Sequence, residues 1–230
     1  MKESIMLKFS QLLKGNNFFK KSYFKKNEKI FLKLAEEGQH PKALFIGCSD
    51  SRVIPNLITQ TLPGDMFVIR NVGNFVAPFK PDKDFHSTAS AIEYAVQALK
   101  VSEIIICGHT QCGAIEALHN GIDKHTFIHT QKWLSLGQKA KELAILELGE
   151  DANKEALLRL TEKLSIVTQI ENLLSYPFVK EKLENGSLHI YGWIYDIHTG
   201  RIEYYDPDEL IFKPLDELFL SIHKEDNDNV

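Results

Sequence analysis

Apolar residues recur at helical spacing through the start of the chain: Ile5, Leu7, Phe9, Leu12 and Leu13, then Phe18, Phe19, Tyr23 and Phe24, then Ile30, Phe31 and Leu34. This period predicts an N-terminal helical arm over residues 1–38. Lys20, Lys21, Lys25 and Lys26 sit on it. A basic amphipathic stretch can meet an anionic membrane surface, but the plainer reading is a solvated face whose aromatic side packs on the body or on a second subunit.

From Pro41 the period changes. Ala43-Leu44-Phe45-Ile46-Gly47, Met66-Phe67-Val68-Ile69 and Ile104-Ile105-Ile106-Cys107 are short apolar runs, as expected of strands covered on both faces. Between the last two, Ala89, Ile92, Ala95, Val96 and Leu99 mark one face of a helix from about His86 to Lys100. Further helices are predicted over 112–120 and, with a break near Gly149 and Asp151, over 126–183. Late strands at Leu188–Ile194 and Arg201–Tyr205 flank a hairpin turn at Thr199-Gly200. Strands alternating with helices predict an α/β fold: a mainly parallel central sheet flanked by helices, with a C-terminal antiparallel edge strand. The organisation expected is an arm (1–38), an α/β domain (39–222) and a polar tail (223–230).

Composition narrows the function classes. The chain has 230 residues, 43% hydrophobic and 25% charged, the ordinary globular range. A net charge of −4 gives no global electrostatic reason to bind nucleic acid. Apolar runs are too short for a membrane span, and the lysine-studded start differs from a signal-peptide core, so a cytoplasmic location is expected. Three cysteines, Cys48, Cys107 and Cys112, are an odd count that argues against a disulfide scaffold. Their thiols are then available as ligands or nucleophiles.

Ligands of open α/β sheets gather at the carboxyl edge of the strands. After the first strand comes Cys48-Ser49-Asp50-Ser51-Arg52, and after the third Gly108-His109-Thr110-Gln111-Cys112-Gly113. Neighbouring parallel strands bring those ends together, placing two thiols and one imidazole at a common point. Cys and His are zinc's preferred ligands, and three protein ligands leave a fourth position open, the mark of a catalytic site. His109 and Cys112, three apart on an opening helical turn, are expected to face one side. Asp50 can ligate the metal or stand beside it. Taken singly, each residue has a duller explanation: Cys48, Cys107 and Cys112 as core, Asp50 and Arg52 as a loop ion pair. A tyrosine-phosphatase loop needs five residues between Cys and Arg, where Cys48 and Arg52 have three. A thioredoxin-like motif needs a cysteine where this chain has His109.

The two motifs in this order resemble the β-class carbonic anhydrases. The likeness continues through Pro63-Gly64-Asp65, Val68 to Asn74, and Ala91 to Val96, and more loosely through Tyr191-Gly192-Trp193 and Thr199-Gly200. It implies reversible hydration of carbon dioxide to bicarbonate and a proton by attack of zinc-bound hydroxide, with one zinc ion per subunit on Cys48, His109 and Cys112. It also implies that Asp50 accepts a hydrogen bond from the nucleophile, that Arg52 holds Asp50 off the metal, and that in some members the carboxylate closes onto zinc in acid. Gln39 would donate to the substrate, Phe67, Val72 and Tyr94 would line its pocket, some of them across a subunit boundary, and Gly113 would let the backbone approach beside Cys112. A homodimer or tetramer follows from the same likeness. One departure stands out: members regulated by bicarbonate away from the metal carry Trp three positions before the first zinc cysteine, and this chain has Phe45, with Arg70 and Tyr195 retained. An unregulated, open form is therefore expected. The alternatives are hydrolysis of carbonyl sulfide or carbon disulfide at the same site, or a non-catalytic zinc-stabilised interaction module, which would have no need of Asp50 and Arg52.

Overall fold

The computed structural model describes residues 9–218. The chain divides into two compact units at the His40–Pro41 bond. The predicted polar tail, 223–230, lies outside the described residues, as do residues 1–8 of the arm.

In the first unit, α1 (Phe9–Phe19) loosens into a π turn over Lys20–Phe24 and is followed by α2 (Glu28–Glu37). Phe24 and Phe31 stack at 4.7 Å between ring centroids, and Phe19 meets both edge-on. The aromatic positions that predicted the arm thus pack on one another. Gly38, with φ of 82°, ends α2 in a conformation that an L side chain rarely adopts.

The second unit is built on one six-stranded sheet, ordered β2-β1-β3-β4-β5-β6. Its strands are β1 (Ala43–Cys48), β2 (Met66–Asn71), β3 (Glu103–His109), β4 (His189–Tyr195), β5 (Ile202–Asp206) and β6 (Ile211–Pro214). The first four run parallel; β5 pairs antiparallel with β4, and β6 antiparallel with β5. The sequence pattern predicted one antiparallel strand there. Ile211-Phe212-Lys213-Pro214 is too short, and too near a proline, to show a strand period on its own.

Helices fall between the strands: α3 (Pro55–Thr59), α4 (Ser87–Glu93), then α5 (Gly113–Asn120), α6 (Ile128–Leu134), α7 (Gln138–Leu148), α8 (Lys154–Leu174) and α9 (Pro177–Glu184). α4 continues as a π turn over Tyr94–Ala98, so the predicted helix to Lys100 holds with a local loosening. One face of the sheet carries Leu44, Ile46, Ile69, Ile104 and Ile106 against Ile92 and Val96, Ile166 and Leu173 of α8, and Val179. Each such side chain, fully buried, contributes about 1.5–3 kcal/mol. The other face presents Phe45, Ile105 and Cys107 beside half-buried Tyr191, Trp193 and Tyr195.

α8 lies close to the sheet because two strand residues lack side chains. A Cβ on Gly108 would come within 3.0 Å of Ile166, and one on Gly192 within 2.8 Å. The buried stripe of α8 is unusual in holding Thr161, Glu162, Ser165, Thr168 and Gln169 together with Leu157, Ile166 and Leu173. Gln169 ties this stripe to the loop after β2 by accepting from the Val76 N–H at 2.8 Å. Among the described residues, no helix is long and apolar enough to cross a membrane.

Candidate metal centre

Parallel pairing in register sets the site. Gly47 of β1 lies opposite Arg70 of β2 and Cys107 of β3, so the chain leaves β1 at Cys48 and β3 at His109 on the same edge. Cys112 follows as the residue capping the start of α5. The Cys48 sulfur, the Cys112 sulfur and a His109 ring nitrogen lie within 4.8 Å of one another, and all three residues are buried. His109 and Cys112 do not share a helical turn, as their spacing had suggested. His109 ends a strand, and a bridge through Gln111, at a φ of +57°, swings Cys112 back toward it.

The donor set fits a divalent metal. The His109 Nδ1 lies 2.9 Å from the Thr110 carbonyl oxygen, which can only accept, so Nδ1 carries the proton and Nε2 presents its lone pair. That Nε2 is buried and has no hydrogen-bond partner among the described residues. An orphaned imidazole nitrogen facing two thiols is costly unless a cation meets it. Cys48, Cys107 and Cys112 are all free, and only the first and last join the cluster. The Cys112 thiol donating to the Cys48 sulfur pulls Cys48 below its ordinary value, against burial, while the same contact and burial hold Cys112 well above its own. Cys107, inside β3, is pushed up to about 12 by burial and stays a core thiol.

Asp50 stands beside the cluster, outside its three donors. Its carboxylate takes two bonds from Arg52, Nε to Oδ1 at 2.9 Å and Nη2 to Oδ2 at 2.7 Å, and a third from the Arg52 backbone N–H at 2.9 Å. Oδ2 remains 3.9 Å from the His109 Nε2. Hydrogen bonds from Arg52 hold the Asp50 carboxyl far below the usual carboxylate range. The same guanidinium reaches the other loop, Nη2 donating to the Gln111 carbonyl at 3.1 Å. Arg70 pins the first loop from β2, donating to the carbonyls of Cys48 at 2.9 Å and Asp50 at 2.5 Å. Phe45 is fully buried on the sheet.

The remaining predicted residues are more scattered. Val72 and Tyr94 are exposed, at 44% and 49%, and Phe67 is half-buried, so none is plain core. Phe67 and Tyr94 touch, with centroids 5.9 Å apart. Phe67 lies opposite Leu44, four residues short of the Cys48 end of the sheet, which is about 13 Å along a strand. Gly113 opens α5 with free space where a Cβ would stand. Gln39 belongs to the first unit, exposed just after α2.

Sequence reasoning missed Glu162. Its side chain, 2% exposed, reaches from α8 to accept from the Cys112 N–H at 2.9 Å and from Arg159 Nη2 at 2.7 Å. Burial pushes its carboxyl up to about 7, although Cys112 and Arg159 favour the charge.

The family model described as carbonic anhydrase matches residues 43–202, which contain the whole cluster. The chain belongs to the β-carbonic anhydrase family. As a β-carbonic anhydrase it is a carbonate dehydratase. It is similar to the carbonic anhydrase of Synechococcus elongatus, 38% identical over 194 residues, covering 84% of this chain and 70% of that one. Its structure resembles that of the β-carbonic anhydrase CcaA, with a TM-score of 0.80 at 36% identity over 89% of this chain and 91% of the other. It also resembles a structure from a study of two tetrameric β-carbonic anhydrases of Sordaria macrospora: TM-score 0.75, 32% identity, 85% and 95% coverage. Fold class and activity thus agree with the sequence reading of this β-carbonic anhydrase.

Proposed function

We propose that this enzyme hydrates carbon dioxide at a single zinc ion held by Cys48, His109 and Cys112, with Asp50 and Arg52 serving the reaction. The observation that carries the reading is the buried, partnerless Nε2 of His109 converging with two sulfurs. Zinc, when bound there, lowers the pKa of water at its open position toward neutrality and so supplies a nucleophile at physiological pH.

The chain's own residues do the rest. Two thiolates and a neutral imidazole balance the charge of a divalent ion, and Thr110 keeps the imidazole proton on Nδ1. Asp50 is a carboxylate throughout the physiological range, so its Oδ2 accepts a hydrogen bond from the attacking group and turns that group's lone pair toward carbon dioxide. Arg52 occupies both Asp50 oxygens and keeps them from the ligand set, the arrangement of an open site. Val72 and Gly113 offer the small apolar surface that a linear, uncharged substrate needs, and Gln39 is the amide donor of the same proposal.

Phe67 lies four residues along β2 from the Cys48 end of the sheet, and Tyr94 touches it, which supports their serving the site of a second copy. We therefore propose a homodimer, alone or paired into a tetramer. Three free cysteines support a cytoplasmic location.

Stopped-flow hydration of carbon dioxide tests the reading. Protein stripped by a chelator should be inactive and regain its rate with one zinc per chain. The loaded enzyme should favour carbon dioxide over carbonyl sulfide by orders of magnitude. A stripped protein that keeps its rate, or a preference for carbonyl sulfide, would sink it.

A further inference from the structure

The Gln111–Cys112 peptide is gripped at both of its polar ends. Its carbonyl oxygen accepts from Arg52 Nη2 at 3.1 Å, and its N–H donates to Glu162 Oε1 at 2.9 Å. Because the peptide is trans, these groups point in opposite directions. Arg52 holds it from the open side and Glu162 from behind. Gln111 has a φ of +57°, in the left-handed region that few non-glycine residues adopt. The Cys112 side chain follows the orientation of this peptide plane.

Glu162 is well anchored for such a task. It lies one helical turn before Ile166, whose side chain sits where Gly108 lacks a Cβ, so α8 is fixed against β3 beside the loop that Glu162 holds. Arg159, one turn earlier still, takes the same Oε1 at 2.7 Å. The Oε2 is buried and partnerless among the described residues. An apolar residue in that position would leave the Cys112 N–H and the Arg159 guanidinium without their acceptor.

We propose that Glu162 is a positioning residue of the metal centre: by holding the N–H of the Gln111–Cys112 peptide it sets the Cys112 sulfur, and through the carbonyl of the same peptide it steadies Arg52 and hence Asp50. This rests on the reading that Cys48, His109 and Cys112 hold zinc. It makes the carboxylate on α8 part of the device that presents both a ligand and the residue orienting the nucleophile.

The test uses full-length protein and two readouts besides activity: the rate of zinc release to a chromogenic chelator, and the thiolate-to-cobalt absorption of the cobalt-substituted form. Melting curves establish that each variant is folded. Glu162→Ala should release zinc about 10–100-fold faster than the parent and shift the cobalt absorption. Glu162→Gln, whose amide oxygen still accepts from Cys112, should return toward the parent in both. Glu162→Asp keeps the charge but draws the acceptor back by one methylene, so it should behave like Glu162→Ala and decides the matter if Glu162→Ala does not fold. A folded Glu162→Ala or Glu162→Asp with parental release and spectrum overturns the proposal, as does a Glu162→Gln no better than Glu162→Ala. A parent that takes up no zinc overturns the site reading and this proposal together. A zinc-binding parent with indifferent variants overturns this proposal alone.

Discussion

Two carboxylate–arginine pairs flank the cysteine–histidine cluster, built in opposite ways. Asp50 and Arg52 lie two residues apart on the loop after β1, with side chains 16% and 44% exposed, and both oxygens of Asp50 are bonded. Glu162 and Arg159 lie a turn apart on α8, with side chains 2% and 31% exposed, and share a single contact. The Glu162 Oε2 and the Arg159 Nε are buried without partners among the described residues. Arg52 drives the Asp50 carboxyl down, whereas burial drives that of Glu162 up to about 7. The first pair is saturated and stands beside the cluster, with the Asp50 Oδ2 3.9 Å from the His109 Nε2. The second is an incomplete network behind the cluster, a costly arrangement in a low-dielectric interior.

The comparison breaks most sharply at Asp50. Asp50→Ala should lower kcat/KM for carbon dioxide by about 10²–10⁴-fold, with zinc still at one per chain by elemental analysis. A variant that keeps both metal and full rate would leave Asp50 as a loop ion pair.

Arg159→Met leaves the Glu162 charge buried and unpaired, and should cost up to about 3 kcal/mol in urea unfolding, the low side for a buried pair because Arg159 is partly exposed. Its zinc content when folded should be unchanged, since the Cys112 N–H keeps its acceptor. Unchanged unfolding would show that Glu162 had already given up its charge.

Gly108→Ala probes how α8 carries the second pair. The added Cβ would meet Ile166 at 3.0 Å, so overpacking of about 1–3 kcal/mol is expected, with faster zinc release as Glu162 is pushed back. Loss of stability with parental release would uncouple the helix from the metal loop.

Arg52→Ala gives the smallest effect on stability and a diagnostic one in pH. The Asp50 carboxyl is lowered in the folded protein, so its contribution is fully present above its unfolded value near 3.9 and fades as pH falls toward the folded value. The difference in stability between parent and variant should be small and flat from pH 9 to 5 and narrow below about pH 4. A difference that changes between pH 6 and 8 would mean another group titrates with the pair.

How much of this was legible in the sequence follows from where each residue sits. β1 and β3 are continuous apolar runs, and Cys48 and His109 end them, so strand logic alone placed both at one edge. Cys112 was found by its spacing from His109, although the turn that delivers it is strained and not helical. Asp50 and Arg52 were visible because they share a loop with Cys48. Glu162 was invisible: Arg159 and Glu162, three apart, look like any solvated helix pair, and the polar residues of α8 hide which face is buried. Phe67 lies on an apolar strand and Tyr94 on an apolar helix face, so nothing in the period separated them from core residues; only the structure shows Phe67 half-buried and Tyr94 exposed. β6 and α3 were too short to carry a period.

The central claim is that two sulfurs and one imidazole nitrogen from Cys48, Cys112 and His109 bind a single zinc ion. X-ray absorption at the zinc edge of the purified protein tests it most directly. One zinc per chain is expected, with two sulfur neighbours at about 2.3 Å and nitrogen or oxygen neighbours at about 2.0–2.1 Å. A shell of nitrogen and oxygen alone, or protein with no metal to absorb, would contradict it.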